Sequence, residues 1–167
     1  GHALLLDSLH AARFTNFILN LVGDGELKAS LEKKVHQLTM QEQVNFLGFL
    51  NKPQVDETIA NSDITVLASY NEGFPMVLLE SANQKMPFIA TNVGDIALLV
   101  PDKSYGWCVP AGSTESLTDA LNEAYTAWEN QTLASKGERL YQLASSEFSL
   151  ERFYQHTLAL YEELVHS

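Results

Sequence analysis

Short apolar runs alternate with helix-like stretches along this chain, and that alternation narrows the fold more than any other feature. Asn16 to Val22, Gln43 to Leu47, Ile64 to Ala68, Phe88 to Ala90 and Gly106 to Val109 read as strands. Between them lie helical stretches. Gly25 to Leu38 carries Leu27, Leu31, Val35 and Leu38 on one stripe, and Pro53 to Ala60 is capped upstream by Asn51. Pro75 to Lys85 and Asp95 to Leu99 follow. A helix from His2 to Ala12, with Leu5, Leu6, Leu9 and Ala12 on one face, precedes the first strand. Thr114–Asn130, capped by Ser113 or Thr114, then Thr132–Ser145 and Leu150–Val165 close the chain. Strands that alternate with helices predict an α/β fold with a parallel sheet and flanking helices. Ligands of such open sheets bind beyond the carboxyl ends of the strands. Gly23, Gly48, Glu72, Thr91 and Gly94 stand at those ends and are expected to converge on one crevice.

The segment Glu72-Gly73-Phe74-Pro75-Met76-Val77-Leu78-Leu79-Glu80 carries the chemistry. Pro75 suits a first helical position, where its missing N–H costs nothing. The helix would then aim its free N–H groups and positive dipole end at the tip of the strand, which suits phosphate. Gly73 lets backbone approach a ligand closely. A carboxylate beside such a site accepts hydrogen bonds from sugar hydroxyls more readily than it meets phosphate. The competing reading is a surface Glu that merely complements the helix dipole. It is weaker for Glu80, because Met76, Val77, Leu78 and Leu79 predict a first turn buried all round, where a charge needs a partner.

Here the chain resembles the family 4 retaining glycosyltransferases of the GT-B fold. Glu72 to Glu80 resembles their E-x7-E motif. Leu21-Val22-Gly23-Asp24-Gly25-Glu26-Leu27 resembles their "VGDG" segment, and Val44-Asn45-Phe46-Leu47-Gly48-Phe49-Leu50 their "V-x-F-L-G" strand. Ala60-Asn61-Ser62-Asp63-Ile64, Pro87 to Gly94, and Gly106-Trp107-Cys108-Val109-Pro110 with Leu117, Ala120 and Leu121 resemble further segments in the family's order and spacing.

The resemblance implies a Rossmann-like domain, the C-terminal half of a GT-B enzyme, over residues 1–167, with a C-terminal helix over 147–167. It implies that Glu72 is catalytic and lies near the donor hexose, and that Glu80 binds the ribose. The segment Gly73, Phe74, Pro75, Met76 and Val77 would bind the sugar and distal phosphates of the donor through its backbone amides, and Gly23 would also belong to the donor site. Pro75 itself removes one N–H. Gly48 and Phe49 would frame the nucleobase, a plain strand end being the alternative. The donor would be a UDP-, GDP- or ADP-sugar, with no other cofactor and no metal. The implied activity is hexosyl transfer with retention in polysaccharide, lipopolysaccharide or other glycoconjugate synthesis. The alternatives are a non-catalytic sugar-nucleotide-binding module, or a phosphorylase or epimerase of the same fold. A pyridoxal-type phosphorylase would need a Schiff-base lysine in this domain, and neither Lys85 nor Lys103 is evidently placed for it.

Family members place a strand before the first helix seen here, ending in a loop whose Arg and Lys grip the pyrophosphate. That strand and the N-terminal acceptor domain are expected to lie outside this chain, which alone would transfer no sugar. Lys28 and Lys103 are candidate cations for the pyrophosphate, though neither matches a family position well. In the family's strand order, 3-2-1-4-5-6, the absent strand is central. Phe17–Val22 and Ile64–Ala68 would then stand roughly 10 Å apart. Unpaired backbone edges are costly, so repair is expected: direct pairing, a strand from another chain, or residues upstream.

Composition sets the outer bounds. The chain's 167 residues allow one domain, and its 46% apolar and 19% charged residues are ordinary for a globular protein. A net charge of −11 argues against nucleic acid and against an anionic membrane surface, leaving membrane contact to the absent part. The single cysteine, Cys108, reads as a buried inert thiol and fits a cytoplasmic protein, or one peripheral to the inner face of the membrane. The histidines are scattered without ligand spacing. Gly23-Asp24-Gly25 does not continue as G-x-G-x-x-G, since position 28 is Lys, so a dinucleotide-dependent dehydrogenase is not indicated. Gly94-Asp95-Ile96-Ala97 departs from the family's "G-G-x-P-E", and no role is assigned to Asp95. Tyr141, Phe148, Phe153, Tyr154 and Tyr161 are expected to pack the terminal helices onto the domain, and the resemblance implies that the last helix crosses back onto the N-terminal domain, leaving some of this surface exposed here.

Overall fold

The structure is a computed structural model that describes residues 1–166. The chain runs α1 (His2–Ala11), β1 (Leu19–Val22), α2 (Lys28–Gln37), β2 (Val44–Gly48), α3 (Lys52–Ala60), β3 (Thr65–Leu67), α4 (Met76–Asn83), β4 (Phe88–Thr91), α5 (Ile96–Leu99), β5 (Trp107–Val109), α6 (Thr114–Glu129), α7 (Leu133–Glu147) and α8 (Leu150–His166). All strand pairs within the sheets are parallel. The α/β fold with parallel sheets and flanking helices is therefore the one that the alternation predicts.

The strands pair as β1–β2 and as β3–β4–β5. Both pairings agree with those that the order 3-2-1-4-5-6 gives on either side of its third member. Direct pairing of β1 with β3, one of the expected repairs, does not occur. Leu4, Leu5 and Leu9 of α1 form one buried cluster with Leu21 of β1, Ala68 after β3 and Ile89 of β4, so one core spans both sheets. Thr65, Val66 and Leu67 are half-buried, and β3 pairs on one side only, with β4.

Period-two alternation assigns the strand side chains to two cores. Val66, Ile89, Trp107 and Val109 join the cluster beneath α1, α2 and α6. Leu67, Phe88, Ala90 and Cys108 join the cluster beneath α4, α5 and α7. Strands buried on both faces read as continuous apolar runs, which is what β4 is. The β1–β2 pair is different. Leu19, Leu21, Val44 and Phe46 face the core, while Asn20 and Asn45 face outward and hydrogen-bond to each other at 3.0 Å.

The helix ends follow local chemistry. Asn51 and Gln54 form a reciprocal capping box at the start of α3. The Ser113 hydroxyl caps α6. Helix α2 begins at Lys28 rather than Gly25, and Leu27, expected on its buried stripe, is exposed. The terminal aromatics divide. Phe148 packs on Phe74 with ring centroids 5.2 Å apart, and Tyr141 lies under the Lys85 ammonium. Phe153, Tyr154 and Tyr161 do not pack on the domain; they are exposed on α8, the helix for which the resemblance implies an exposed surface. Helical spacing predicts that they share a face, but it does not supply a surface to cover that face.

Gly137 sits where α7 crosses the end of α4. A Cβ there would lie 1.8 Å from the Lys85 carbonyl oxygen and 3.3 Å from Pro87 Cδ. Backbone cannot retreat as a flexible side chain can. Gly137→Ala is expected to lower the unfolding free energy by about 1–3 kcal/mol. Gly25→Ala, with nothing within 4 Å of its Cβ, should stay within about 0.5 kcal/mol of the parent. Urea unfolding of the two variants checks this, and equal stabilities would contradict it.

Candidate functional site

The loop from Ser69 to Pro75 leaves β3 and turns into α4. It is pinned from the neighbouring strand. Thr91, buried at the end of β4, points its hydroxyl at the carbonyls of Ser69 (2.6 Å) and Leu67 (3.3 Å). One hydroxyl carries one proton, so the shorter contact is the principal bond. Next, the Asp95 N–H donates to the Gly73 carbonyl at 3.2 Å. Gly94 makes this approach feasible. It has φ +55°, and a Cβ on it would lie 2.3 Å from the Gly73 oxygen and 2.4 Å from the Glu72 oxygen. Gly94 is expected at this crevice as a strand-end residue, whereas Asp95 has no role assigned from the sequence because its segment departs from the family pattern. The structure makes them the support of the motif loop, through backbone rather than through the Asp95 carboxylate.

Within that loop Glu72 is half-buried, and the Ser69 hydroxyl donates to its Oε1 at 2.6 Å. A charge-assisted bond of this length fixes one carboxylate oxygen and leaves the other available. Helix α4 starts at Met76, with Pro75 as its N-cap in an extended conformation. Pro75 is thus one position earlier than expected. Its carbonyl accepts from the Leu78 N–H at 3.1 Å. The N–H groups of Met76 and Val77, first in the helix, have no intrahelical acceptor and stand at the positive dipole end. The first turn is not buried all round. Met76 is 62% exposed, Leu78 is buried, and Val77 and Leu79 lie between. The Phe74 ring turns inward onto Phe148, so only its backbone faces the site.

Glu80 lies in the second turn of α4, half-buried, and it has the partner that burial demands. Lys52 Nζ is 3.5 Å from its Oε1. Lys52 opens α3 and also pairs with Asp56 one turn on. The Asp56 carboxylate, with Glu80 behind it, pushes the Lys52 ammonium above its ordinary range. Sequence reading passed over Lys52. Its one available signal was its place immediately after the Asn51 cap, at a strand-to-helix exit.

At the ends of β1 and β2, the Gly23 N–H donates to the Gly48 carbonyl at 2.7 Å. Both glycines have positive φ, +119° and +67°, which favours residues without a Cβ. Phe49 follows, and its ring is 85% exposed. The predicted residues therefore meet in two groups. Gly73, Glu72, Thr91 and Gly94 form one, Gly23 and Gly48 the other. The Lys52–Glu80 pair runs between the helices that leave β2 and β3.

Other candidates lie elsewhere. Lys85 follows the far end of α4 and pairs with Glu138 at 2.8 Å; Lys103 pairs with both oxygens of Glu123 at 2.7 and 2.8 Å. Neither lysine is placed for a Schiff base or for a diphosphate at the motif loop. Shallow hollows of about 260 and 370 Å³ are lined by Glu32, His36 and Phe46 and by Arg13, Asp119 and Glu123, away from Glu72 and Glu80. Among the described residues no group of three His, Cys, Asp or Glu could hold a metal ion. Burial pushes the Cys108 thiol up, as suits an inert cysteine. Among the described residues no helix is long and apolar enough to cross a membrane.

Residues 1–140 match the family model described as glycosyl transferases group 1. The N-acetyl-alpha-D-glucosaminyl L-malate synthase of Bacillus anthracis is 29% identical over 148 residues, 88% of this chain and 38% of that protein. The amylovoran biosynthesis glycosyltransferase AmsD of Erwinia amylovora is 30% identical over 139 residues, 75% of this chain and 38% of that protein. The chain thus spans well under half the length of either relative. The crystal structure of Anabaena Alr3699/HepE in complex with UDP and glucose superposes with a TM-score of 0.84 at 23% identity, over 98% of this chain and 45% of that one.

The Gly94 contact yields a local test. Gly94→Ala places a methyl against two carbonyl oxygens and should push the loops after β3 and β4 apart. The Asp95 amide is then expected to lose its hydrogen-exchange protection, while amides in β4 keep theirs. Unchanged protection at Asp95 would show that the loops are not held this way.

Proposed function

Because the chain belongs to the glycosyl transferases group 1 family, we propose that it is the donor-binding C-terminal domain of a two-domain GT-B enzyme that transfers a hexose, with retention, from a nucleotide sugar. The observation that carries this reading is the motif loop itself. One carboxylate is held in the loop by Ser69, a second stands one helical turn on beside Lys52, and two helix N–H groups lie between them in sequence. The Anabaena structure was solved with UDP and glucose, which supports a nucleotide sugar as ligand here.

In this reading the Met76 and Val77 amides receive the distal phosphates of the donor. They favour the departing diphosphate most as its negative charge develops, so they act on the transition state more than on the bound donor. Gly73 keeps side-chain bulk away from the hexose. The free oxygen of Glu72 accepts from a hexose hydroxyl and orients the sugar, while Ser69 fixes the carboxylate plane. Glu80 accepts from the ribose hydroxyls, and the backbone of Gly48 and Phe49 borders the base. Gly23 lies beside Gly48 and keeps that edge open. The acceptor is brought to the same face of the sugar by a domain outside this chain, and proximity supplies much of the acceleration. Polysaccharide, lipopolysaccharide or glycoconjugate synthesis at the cytoplasmic side is the setting we infer, and the amylovoran relative supports it.

Glu80→Gln keeps the side chain's shape and removes its charge. It is expected to weaken the best donor among UDP-, GDP- and ADP-sugars by about 1–3 kcal/mol in calorimetric titration. Unchanged affinity for that donor would remove Glu80 from the ribose site.

A further inference from the structure

We propose that Lys52 is a positioning residue for Glu80, holding its carboxylate in the orientation that receives the two ribose hydroxyls; the proposal rests on the reading of Glu80 as the ribose acceptor. Helix α4, Met76–Asn83, contains no basic residue, so Glu80 cannot be balanced from its own helix. The cation comes instead from the start of α3, a separate element that leaves β2. That start is fixed. Asn51 accepts from the Gln54 N–H at 3.1 Å, and Gln54 accepts from the Asn51 N–H at 3.0 Å. Asp56, one turn along, holds the Lys52 ammonium from the other side. The ammonium of Lys52, a side chain 58% exposed, thus has a carboxylate partner on each of the two helices.

The distance decides what Lys52 does there. At 3.5 Å its Nζ attracts Glu80 Oε1 without the short, lone-pair-consuming bond of a closed pair. Oε2 and the remaining lone pairs stay open to a vicinal diol, whose two hydroxyls need a carboxylate in a defined plane. Without Lys52 the Glu80 side chain would regain its rotamers. The Asp56 carboxylate would also stand near Glu80 with no cation between them, and like charges repel.

The test compares each of uridine, guanosine and adenosine diphosphate with its 2′,3′-dideoxy form, by calorimetric titration of the full chain. The readout is the ratio of the two affinities, which isolates the ribose hydroxyls. Lys52→Met is expected to lower that ratio by about two- to fivefold, the range an exposed ion pair supplies. It should leave dideoxy affinity unchanged. Lys52→Arg is expected to restore most of the ratio. If Lys52→Met weakens ribo and dideoxy forms equally, or alters neither, Lys52 does not position Glu80. If Glu80→Gln leaves the ratio unchanged in the parent chain, or no ribonucleotide binds, the ribose reading of Glu80 fails and the proposal falls with it. A collapse of the ratio in Glu80→Gln but not in Lys52→Met overturns the Lys52 role alone. Thermal melts of each variant identify any loss due to unfolding.

Discussion

The Thr91 hydroxyl on the Ser69 carbonyl, at 2.6 Å, is the contact on which the site's geometry most depends. The loop that follows β3 has no regular structure of its own from Ser69 to Pro75. Its shape is set by the end of the neighbouring strand and by the turn after it. Thr91 holds the beginning of the loop, and the Asp95 N–H holds its middle at Gly73. Between these two points the Ser69 side chain holds Glu72. A buried hydroxyl with no acceptor would carry a desolvation penalty. Here that penalty is avoided by a bond that also places a functional loop.

Parallel strands explain why this arrangement is available. Their carboxyl ends lie on one side, so the loops after β3 and β4 must run next to each other. The strands themselves are rigid because both faces of β4 are buried, with Ile89 on one core and Phe88 and Ala90 on the other. Support for the site thus comes from packing, and its recognition groups come from loops and a helix start. The β1–β2 pair contributes Gly23 and Gly48 from a less buried sheet, held to the rest of the molecule through the leucines of α1.

Much of this is legible in the sequence, for physical reasons. Each strand is a short apolar run, each helix has its stripe or its cap, and the alternation leaves one fold class. The family resemblance carried by the ordered motifs then implies the strand order and the lack of pairing between β1 and β3. Other features are legible only approximately. Pro75 is compatible with both N-cap and first-turn positions, and the chain uses the former. Met76 looks buried by composition, yet helix rotation turns it to solvent. The aromatics of α8 share a face by their spacing, but what lies opposite is implied by the family resemblance and not by the spacing. Least legible are contacts between elements distant in the chain. Lys52 and Glu80 belong to separate helices and meet only in the folded chain. Gly94 matters because a neighbouring carbonyl occupies the space its side chain would need.

The central claim is that the carboxyl ends of the strands, and not the hollows elsewhere on the surface, receive a nucleotide sugar. Amide chemical-shift mapping during titration with UDP-, GDP- and ADP-sugars tests this most directly. The account predicts that the largest perturbations fall on Gly48, Phe49, Gly73, Phe74, Met76, Val77 and Glu80, with smaller ones at Gly94 and Asp95 through the shared loop. Perturbations centred on Glu32, His36 and Phe46, or on Asp119 and Glu123, with none at the motif loop, would contradict it.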